Sequence, residues 1–312
     1  MDLHDRYAGS LLGLAVGDAL GTTLEFRKPG TFEPLTEMIG GGPFELKAGE
    51  WTDDTSMALC LAESLITKNG FDPVDQMNRY VAWFREGYMS CKDHCFDIGN
   101  ITKEALWRFE QTKNPFSGSD HPMSAGNGSI MRLAPVALYY ANQPELAIDY
   151  CAQSSRTTHA TAKAVDGCRF LGALLLGALQ GISKEELLAD SFSPIADLWE
   201  KQPLDPDIAR VANGSYKEKT RMEIKGSGYV VDSLEAALWA FYSSRSFEEG
   251  LFLAVNLGDD ADTTGAVYGQ LAGAYYGVEG LPQRMLALLA KRELMEEFAR
   301  KLYQNNQTLP LL

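Results

Sequence analysis

The 312-residue chain reads as an all-α protein, on two absences and one pattern. No segment sustains the two-residue alternation of a half-buried strand, and runs of β-branched residues are few. The glycine-rich stretches lack the strand–GxGxxG–helix order of a dinucleotide fold, and no tandem repeat stands out. Apolar residues instead recur at helical spacing behind polar starts. Met57, Ala58, Leu59, Leu61, Ala62 and Leu65 after an Asp/Thr cluster are the clearest case.

The elements follow in order. Residues 4–20 predict a first helix rich in Gly9, Gly13, Ala15 and Gly17. Interior glycine costs about 1 kcal/mol against alanine, so burial and close approach of another helix must hold it. Glu25 then lies between apolar neighbours, where it is either a salt-bridged surface residue or a functional carboxylate. Residues 27–50, with Pro29, Pro34, Gly40, Gly41, Gly42, Pro43 and Gly49, form a long loop of the kind that serves as a lid. Helices are expected at 54–67, 73–86 and 98–111, the second opened by Asp72 and Pro73. Asp97 and Asn100 stand at the entrance to the third, where capping is the default role.

A loop over 112–126 leads to Ser124–Arg132, whose glycines precede an apolar helix. Backbone N–H groups there suit a phosphate, although a simple turn explains them equally well. Ser154–His159 precedes a helix over 160–180, and His159 is either structural or a ligand contact. Shorter helices follow at 183–190, 194–201 and 205–213. After the polar loop 214–226, Tyr229 stands at the threshold of a helix, placed to stack on a base or ribose or to cover the core. Helices near 246–256, 263–277 and 282–303 close the chain.

No Pro/Ser-rich linker or charge block divides the chain, which favours one domain over residues 1–312. A net charge of −14 argues against general binding to nucleic acid or an anionic membrane. Asp2, Asp5 and Asp18 argue against a secretory signal, and the apolar run 170–179 is half of the roughly 20 residues a span needs. A soluble, cytoplasmic protein is expected. Five cysteines, an odd number, fit reduced thiols. Cys91 and Cys95 have no second pair to complete a zinc site, so a local loop is the better reading.

Chemistry concentrates in two places far apart in sequence. Trp51-Thr52-Asp53-Asp54-Thr55 and Gly258-Asp259-Asp260-Ala261-Asp262-Thr263-Thr264 each open a buried-looking helix. One Asp or Thr suffices to cap a helix, and capping explains either cluster alone. Several carboxylates packed against apolar helices cost several kcal/mol each unless cations compensate. Mg²⁺ and Mn²⁺ prefer carboxylate, hydroxyl and water oxygens. If the clusters converge, they read as a metal site.

With Gly17–Gly21 and Glu25, the two Asp/Thr clusters, Gly126–Arg132 and Thr158-His159 in this order, the chain resembles the ADP-ribosylglycohydrolase family from residue 6 to about 277. Phe96–Asn100 and Gly228–Trp239 make it similar to the dinitrogenase-reductase-activating branch in particular. The resemblance implies a compact multi-helix orthogonal bundle with a two-metal centre, Mg²⁺ or Mn²⁺, at the base of an ADP-ribose cleft. The implied metal ligands are Thr52, Asp53, Asp54, Asp260, Asp262 and Thr263. Glu25 is implied at the metal edge, positioning or activating water, with Asp97 and Asn100 near the scissile ribose. The loop Gly126, Asn127, Gly128 and Ser129 is implied to hold the pyrophosphate, and His159 and Tyr229 to contact the nucleotide. Asp259, where the wider family commonly has glycine, is read as supporting rather than ligating.

The implied reaction is hydrolysis of the N-glycosidic bond between ADP-ribose and a modified protein arginine. Its partners are the ADP-ribosylated protein as substrate and ADP-ribose as product. Asp97 suits a guanidinium. Two alternatives stand beside this reading: the same chemistry on a serine or small-conjugate linkage, and a non-catalytic binder such as an immunity protein. Loss of metal ligands would mark the latter, and all six are present together with Glu25.

Overall fold

Two glycine stripes with matching spacing place everything else. In the computed structural model, which describes residues 2–309, the first helix α1 (Leu3–Gly21) runs antiparallel to α13 (Ala261–Tyr276). Gly9, Gly13 and Gly17 face Gly273, Gly269 and Gly265. A Cβ on any of these six would lie within 2.4 Å of the opposing helix's carbonyl oxygen. The close approach expected of α1 is thus backbone against backbone. Because the Asp/Thr run Asp260–Thr264 opens α13 at this crossing, the packing brings it beside Asp18 of α1.

The second Asp/Thr cluster arrives on α2 (Asp53–Lys68), followed by α3 (Pro73–Glu86) and α4 (Asn100–Thr112). The chain continues through α5 (Ala134–Tyr139), α6 (Pro144–Arg156), α7 (Ala162–Leu179), α8 (Lys184–Leu187), α9 (Leu198–Lys201) and α10 (Pro206–Ala212). It closes with α11 (Val230–Ser243), α12 (Phe247–Val255), α13, α14 (Gln283–Leu286) and α15 (Arg292–Thr308). Among the described residues no strand extends beyond isolated bridges, as the all-α reading requires. One large hydrophobic core runs through the molecule, with Tyr7, Trp51, Trp83, Phe109, Phe241 and Phe247 fully buried in it.

Three differences from the sequence-derived elements have physical causes. Helix α6 has no counterpart among them, although Pro144 begins it and Ile148, Cys151, Ala152 and Ser155 make its buried face. The single helix expected over 282–303 breaks between α14 and α15, where Lys291 is left-handed (φ 52°). There the end of the 27–50 loop docks: Ala290 N–H donates to Gly49 O (2.9 Å) and Trp51 Nε1 to Ala290 O (3.0 Å). The segments 183–190 and 194–201 shrink to single helical turns at α8 and α9.

Two buried amides tie the loops to this frame. Asn256 bonds both backbone groups of Leu35 (2.6 and 3.0 Å), holding the 27–50 loop to the end of α12. Gln270 of α13 accepts from Ala134 N–H (2.7 Å) and donates to the carbonyls of Ile130 and Met131 (3.0 and 2.8 Å). It thereby fixes the turn that follows Gly126–Ser129.

Candidate active site

The two Asp/Thr clusters meet. Thr263 Oγ1 lies 3.3 Å from Asp54 Oδ1, and Thr52 Oγ1 lies 3.4 Å from Asp262 Oδ2. Neither cluster caps its own helix. Thr52 and Asp260 occupy the N-cap positions of α2 and α13 without a side-chain capping bond. Asp18 of α1 caps α2 from outside. It accepts the backbone N–H and the hydroxyl of both Thr52 (2.9 Å each) and Thr55 (3.0 and 2.6 Å). With the capping of α2 discharged by Asp18, Asp54 is left facing Asp262 of the second cluster.

They form two triads that share Asp262. Asp18, Asp54 and Asp262 each offer an oxygen within 4.8 Å of the others, and so do Glu25, Asp97 and Asp262. Asp54 and Thr52 are fully buried at the base. Glu25, Asp53, Asp97, Asp260, Asp262 and Thr263 line a cavity of about 560 Å³ above them. Asn100, Gly126, Asn127, Gly128 and His159 form its other walls. No lysine or arginine lines it among the described residues.

Charge of one sign in one enclosed space pushes the buried carboxyls upward. Burial, then Asp97 and Asp260, pushes the Glu25 carboxyl up to about 10. Burial pushes Asp97 up to about 7 and Asp18 to about 6, the latter held back by its bonds from Thr55 and Thr52. Asp53, Asp54 and Asp262 are driven well above the ordinary carboxylate range by burial and by their acidic neighbours. Asp260 rises for the same first reason, opposed by a 2.6 Å bond from Asn127 Nδ2. Glu25 Oε2 and Asp262 Oδ1 are buried without any partner. Hard divalent cations fit this donor set: carboxylates and hydroxyls at one base, unpartnered oxygens aimed inward, and no basic side chain to neutralise them.

The remaining predicted residues divide by position. Asp97 is no cap: α4 has Gly99 as its N-cap, and Asp97 precedes it in a left-handed turn (φ 56°) that turns its carboxyl toward Glu25. Asn100 opens α4 at the cavity edge. The loop Gly126–Ser129 does not run straight into a helix, because a turn separates it from α5. Its Ser129 hydroxyl points into the core, accepting from Ser155 Oγ (2.9 Å) and Cys168 Sγ (3.4 Å), so only its backbone is available to a ligand. His159 packs under this loop, and a Cβ on Gly128 would come within 2.7 Å of its Cε1. Tyr229 lies outside the main cavity, in an adjoining groove with Ile101, Pro122, Met123 and Ala125. Asp259 is exposed at the rim, and its backbone exchanges bonds with Phe26 N–H (2.6 Å) and Arg27 O (2.8 Å). Those backbone bonds clamp the turn that follows Glu25.

Sequence reasoning gave no role to Asp18, Arg132, Thr158 or Gln270. For Asp18 a signal existed: a carboxylate in the middle of a Gly/Ala/Leu helix has no cheap place to go. Cys91 donates to Trp51 O (2.9 Å), and neither it nor Cys95 belongs to a metal-competent cluster among the described residues.

The same architecture is found in known proteins. The ADP-ribosylglycohydrolase family profile matches residues 1–310. ADP-ribosylarginine hydrolase Tri1 of Pseudomonas putida (strain GB-1) is 45% identical over 299 residues, 96% of this chain and 78% of that protein. The ADP-ribosyl-[dinitrogen reductase] glycohydrolase of Rhodospirillum rubrum is 32% identical over 294 residues, covering 92% of this chain and 91% of that one. A solved structure described as an ADP-ribosylglycohydrolase-related protein complex superposes with a TM-score of 0.86 at 47% identity, covering 98% of this chain and 99% of the other.

Proposed function

The chain belongs to the ADP-ribosylglycohydrolase family, and from that premise we propose that it hydrolyses the N-glycosidic bond joining ADP-ribose to a protein arginine. The family is metal-dependent. The observation that carries the reading is the meeting of the two Asp/Thr clusters, Thr52 beside Asp262 and Thr263 beside Asp54, at the base of a cavity wide enough for a nucleotide-sugar that Asp53, Asp260 and Asp262 line. The arginine linkage is supported by the relatives named for it and by the placement of Asp97.

Each group has a part in this proposal. Asp53, Asp54, Asp260, Asp262, Thr52 and Thr263 would hold a pair of divalent cations, Mg²⁺ or Mn²⁺. Bound there, such cations supply Lewis acidity to oxygen and neutralise the cluster. Asp18 holds Thr52 and the start of α2 in place. Asn127 braces Asp260. Glu25, on the cavity wall, would position the water that attacks the anomeric carbon and take its proton once bound cations have neutralised the cluster. Asp97 and Asn100 orient the guanidine. As the C–N bond breaks, its electron pair goes to the guanidine nitrogen and the ribose gains oxocarbenium character. Arginine's pKa above about 12 lets the departing guanidine take up a proton without a strong enzymic acid. The backbone of Gly126–Ser129 and His159 face the pyrophosphate, and the Tyr229 groove receives the base. Among the described residues no helix is long and apolar enough to cross a membrane, and a cytoplasmic site of action is part of the proposal.

The test is release of ADP-ribose from arginine- and serine-modified peptides assayed side by side, with Mg²⁺ or Mn²⁺ and after chelation. Release from the arginine peptide alone, abolished by chelator and restored by the cation, is expected. Full activity in chelator refutes the cation centre, and equal or faster release from serine refutes the linkage.

A further inference from the structure

Arg132 is fully buried, and among the described residues its hydrogen bonds go to neutral groups. It donates to Gly128 O (2.9 Å), Thr157 Oγ1 (3.3 Å) and Thr158 Oγ1 (2.7 Å), with Met57 Sδ at 3.6 Å. Its guanidinium lies 4.7 Å from the Tyr80 ring centroid, which recovers part of the cost of burial. A buried cation without a carboxylate is expensive, and a methionine or leucine could fill the same volume. What an apolar side chain cannot do is donate.

The direction of the next hydrogen bond follows from that donation. Guanidinium has donors only, so Thr158 Oγ1 accepts from it. The single proton of the Thr158 hydroxyl is left for another partner, and His159 Nδ1 lies 2.9 Å away. With that proton on the shared bond, Nδ1 is the ring's acceptor and the ring proton belongs on Nε2. That nitrogen lies at the glycine loop: a Cβ on Gly126 would stand 3.3 Å from it and one on Gly128 3.1 Å. His159 lines the cavity there.

We propose that Arg132 and Thr158 are positioning residues that hold His159 as its Nε2–H tautomer, so that the cavity presents a neutral hydrogen-bond donor to an acceptor oxygen of the ligand's pyrophosphate. Burial, together with Arg132, pushes His159 down to about 3, so the ring remains uncharged throughout the neutral range. A neutral donor binds an anionic oxygen and has no proton to lose to the acidic cluster across the cavity. The Arg132 bond to Gly128 O ties the same cation to the loop itself. The ligand named here rests on the functional reading above; the tautomer does not.

The experiment uses full-length protein labelled with ¹⁵N-histidine and long-range ¹H–¹⁵N ring correlations at pH 6–8, with His159→Asn assigning the signals. Wild-type His159 is expected as a single Nε2–H tautomer. Thr158→Val should give the Nδ1–H form or a mixture and weaken ADP-ribose, titrated calorimetrically in Mg²⁺, by roughly 5–20-fold, the loss of about one oriented hydrogen bond. Thr158→Ser should restore both. A wild-type Nδ1–H form overturns the proposal, and so does a Thr158→Val protein that keeps Nε2–H. Wild-type protein showing the Nε2–H form but binding no ADP-ribose would overturn the functional reading and the ligand named here, while supporting the tautomer assignment.

Discussion

Replacing Asp262 by Asn sets two opposed effects against each other and separates them by one reagent. Asp262 belongs to both carboxylate triads, and its Oδ1 is buried without a partner. In chelator its carboxyl is disfavoured by burial and by Glu25, Asp260, Asp97 and Asp54. The amide keeps the shape while relieving that cost, and its N–H can donate to Thr52 Oγ1, which lies 3.4 Å from Asp262 Oδ2. The variant should therefore melt at or above the wild-type temperature in chelator. Cations reverse the order. A ligand at about 100 times its Kd stabilises by about 2.7 kcal/mol. With an unfolding entropy of about 2.1 cal/mol/K per residue over 312 residues, that is about 4 °C. Scanning calorimetry should show the wild type gaining about 4 °C in excess Mn²⁺ and the variant less than about 1 °C. Hydrolysis of the arginine-linked substrate should fall more than about 100-fold. The reasoning is refuted if the wild type is the more stable in chelator and Mn²⁺ raises both proteins equally.

Three further outcomes follow from the same geometry. Asp97→Asn keeps a left-handed turn (φ 56°) that asparagine tolerates, so the fold should persist. Loss of one charged hydrogen bond to the guanidine should lower kcat on arginine-linked substrate by about 10–100-fold. ADP-ribose affinity should hardly change, and a matching loss of that affinity would contradict the role. Gly13→Ala drives a Cβ to 2.3 Å from the Gly269 carbonyl, a backbone atom that cannot swing aside. Overpacking of about 1–3 kcal/mol should lower the melting temperature by about 2–5 °C, and an unchanged value would mean the two helices part freely. The pH dependence has a definite sign. Carboxyls pushed up to about 6, 7 and 10 at Asp18, Asp97 and Glu25 keep their protons in the fold after the unfolded chain has released them near pH 4. In chelator, the stability these carboxyls contribute is thus fully present below pH 4 and drains away as pH rises through 6 and 7 toward 10, outweighing the single opposite contribution of His159, which is pushed down to about 3. The melting temperature should fall from pH 5 to pH 8, and excess Mn²⁺, which displaces these protons, should flatten the slope. A chelator-treated protein more stable at pH 8 than at pH 5 would contradict it.

Much of the site was legible because its chemistry is expensive to bury. Asp53, Asp54, Asp260 and Asp262 stood out as carboxylates beside apolar helices, and they line or underlie one cavity. Glu25, Asp97, Asn100 and the glycine loop join them. Ser129 could not be placed from sequence, because its hydroxyl turns to Ser155 on α6, a helix the pattern did not announce. Arg132 and Thr158 carry no local mark of their joint role, since it consists of bonds between residues 26 apart.

The chain by itself determined its class, the helical segments that have strong polar starts, and the residues too costly to bury without a purpose. These are local quantities: periodicity, propensity and desolvation of single side chains. Only the tertiary structure decided which of them meet. The two glycine stripes set the α1–α13 crossing, and that crossing lets Asp18 cap α2 and sets the Thr52–Thr55 cluster against the start of α13. A cap supplied by another helix leaves no trace in local spacing, because the partners lie 34 and 37 residues apart and only close packing unites them.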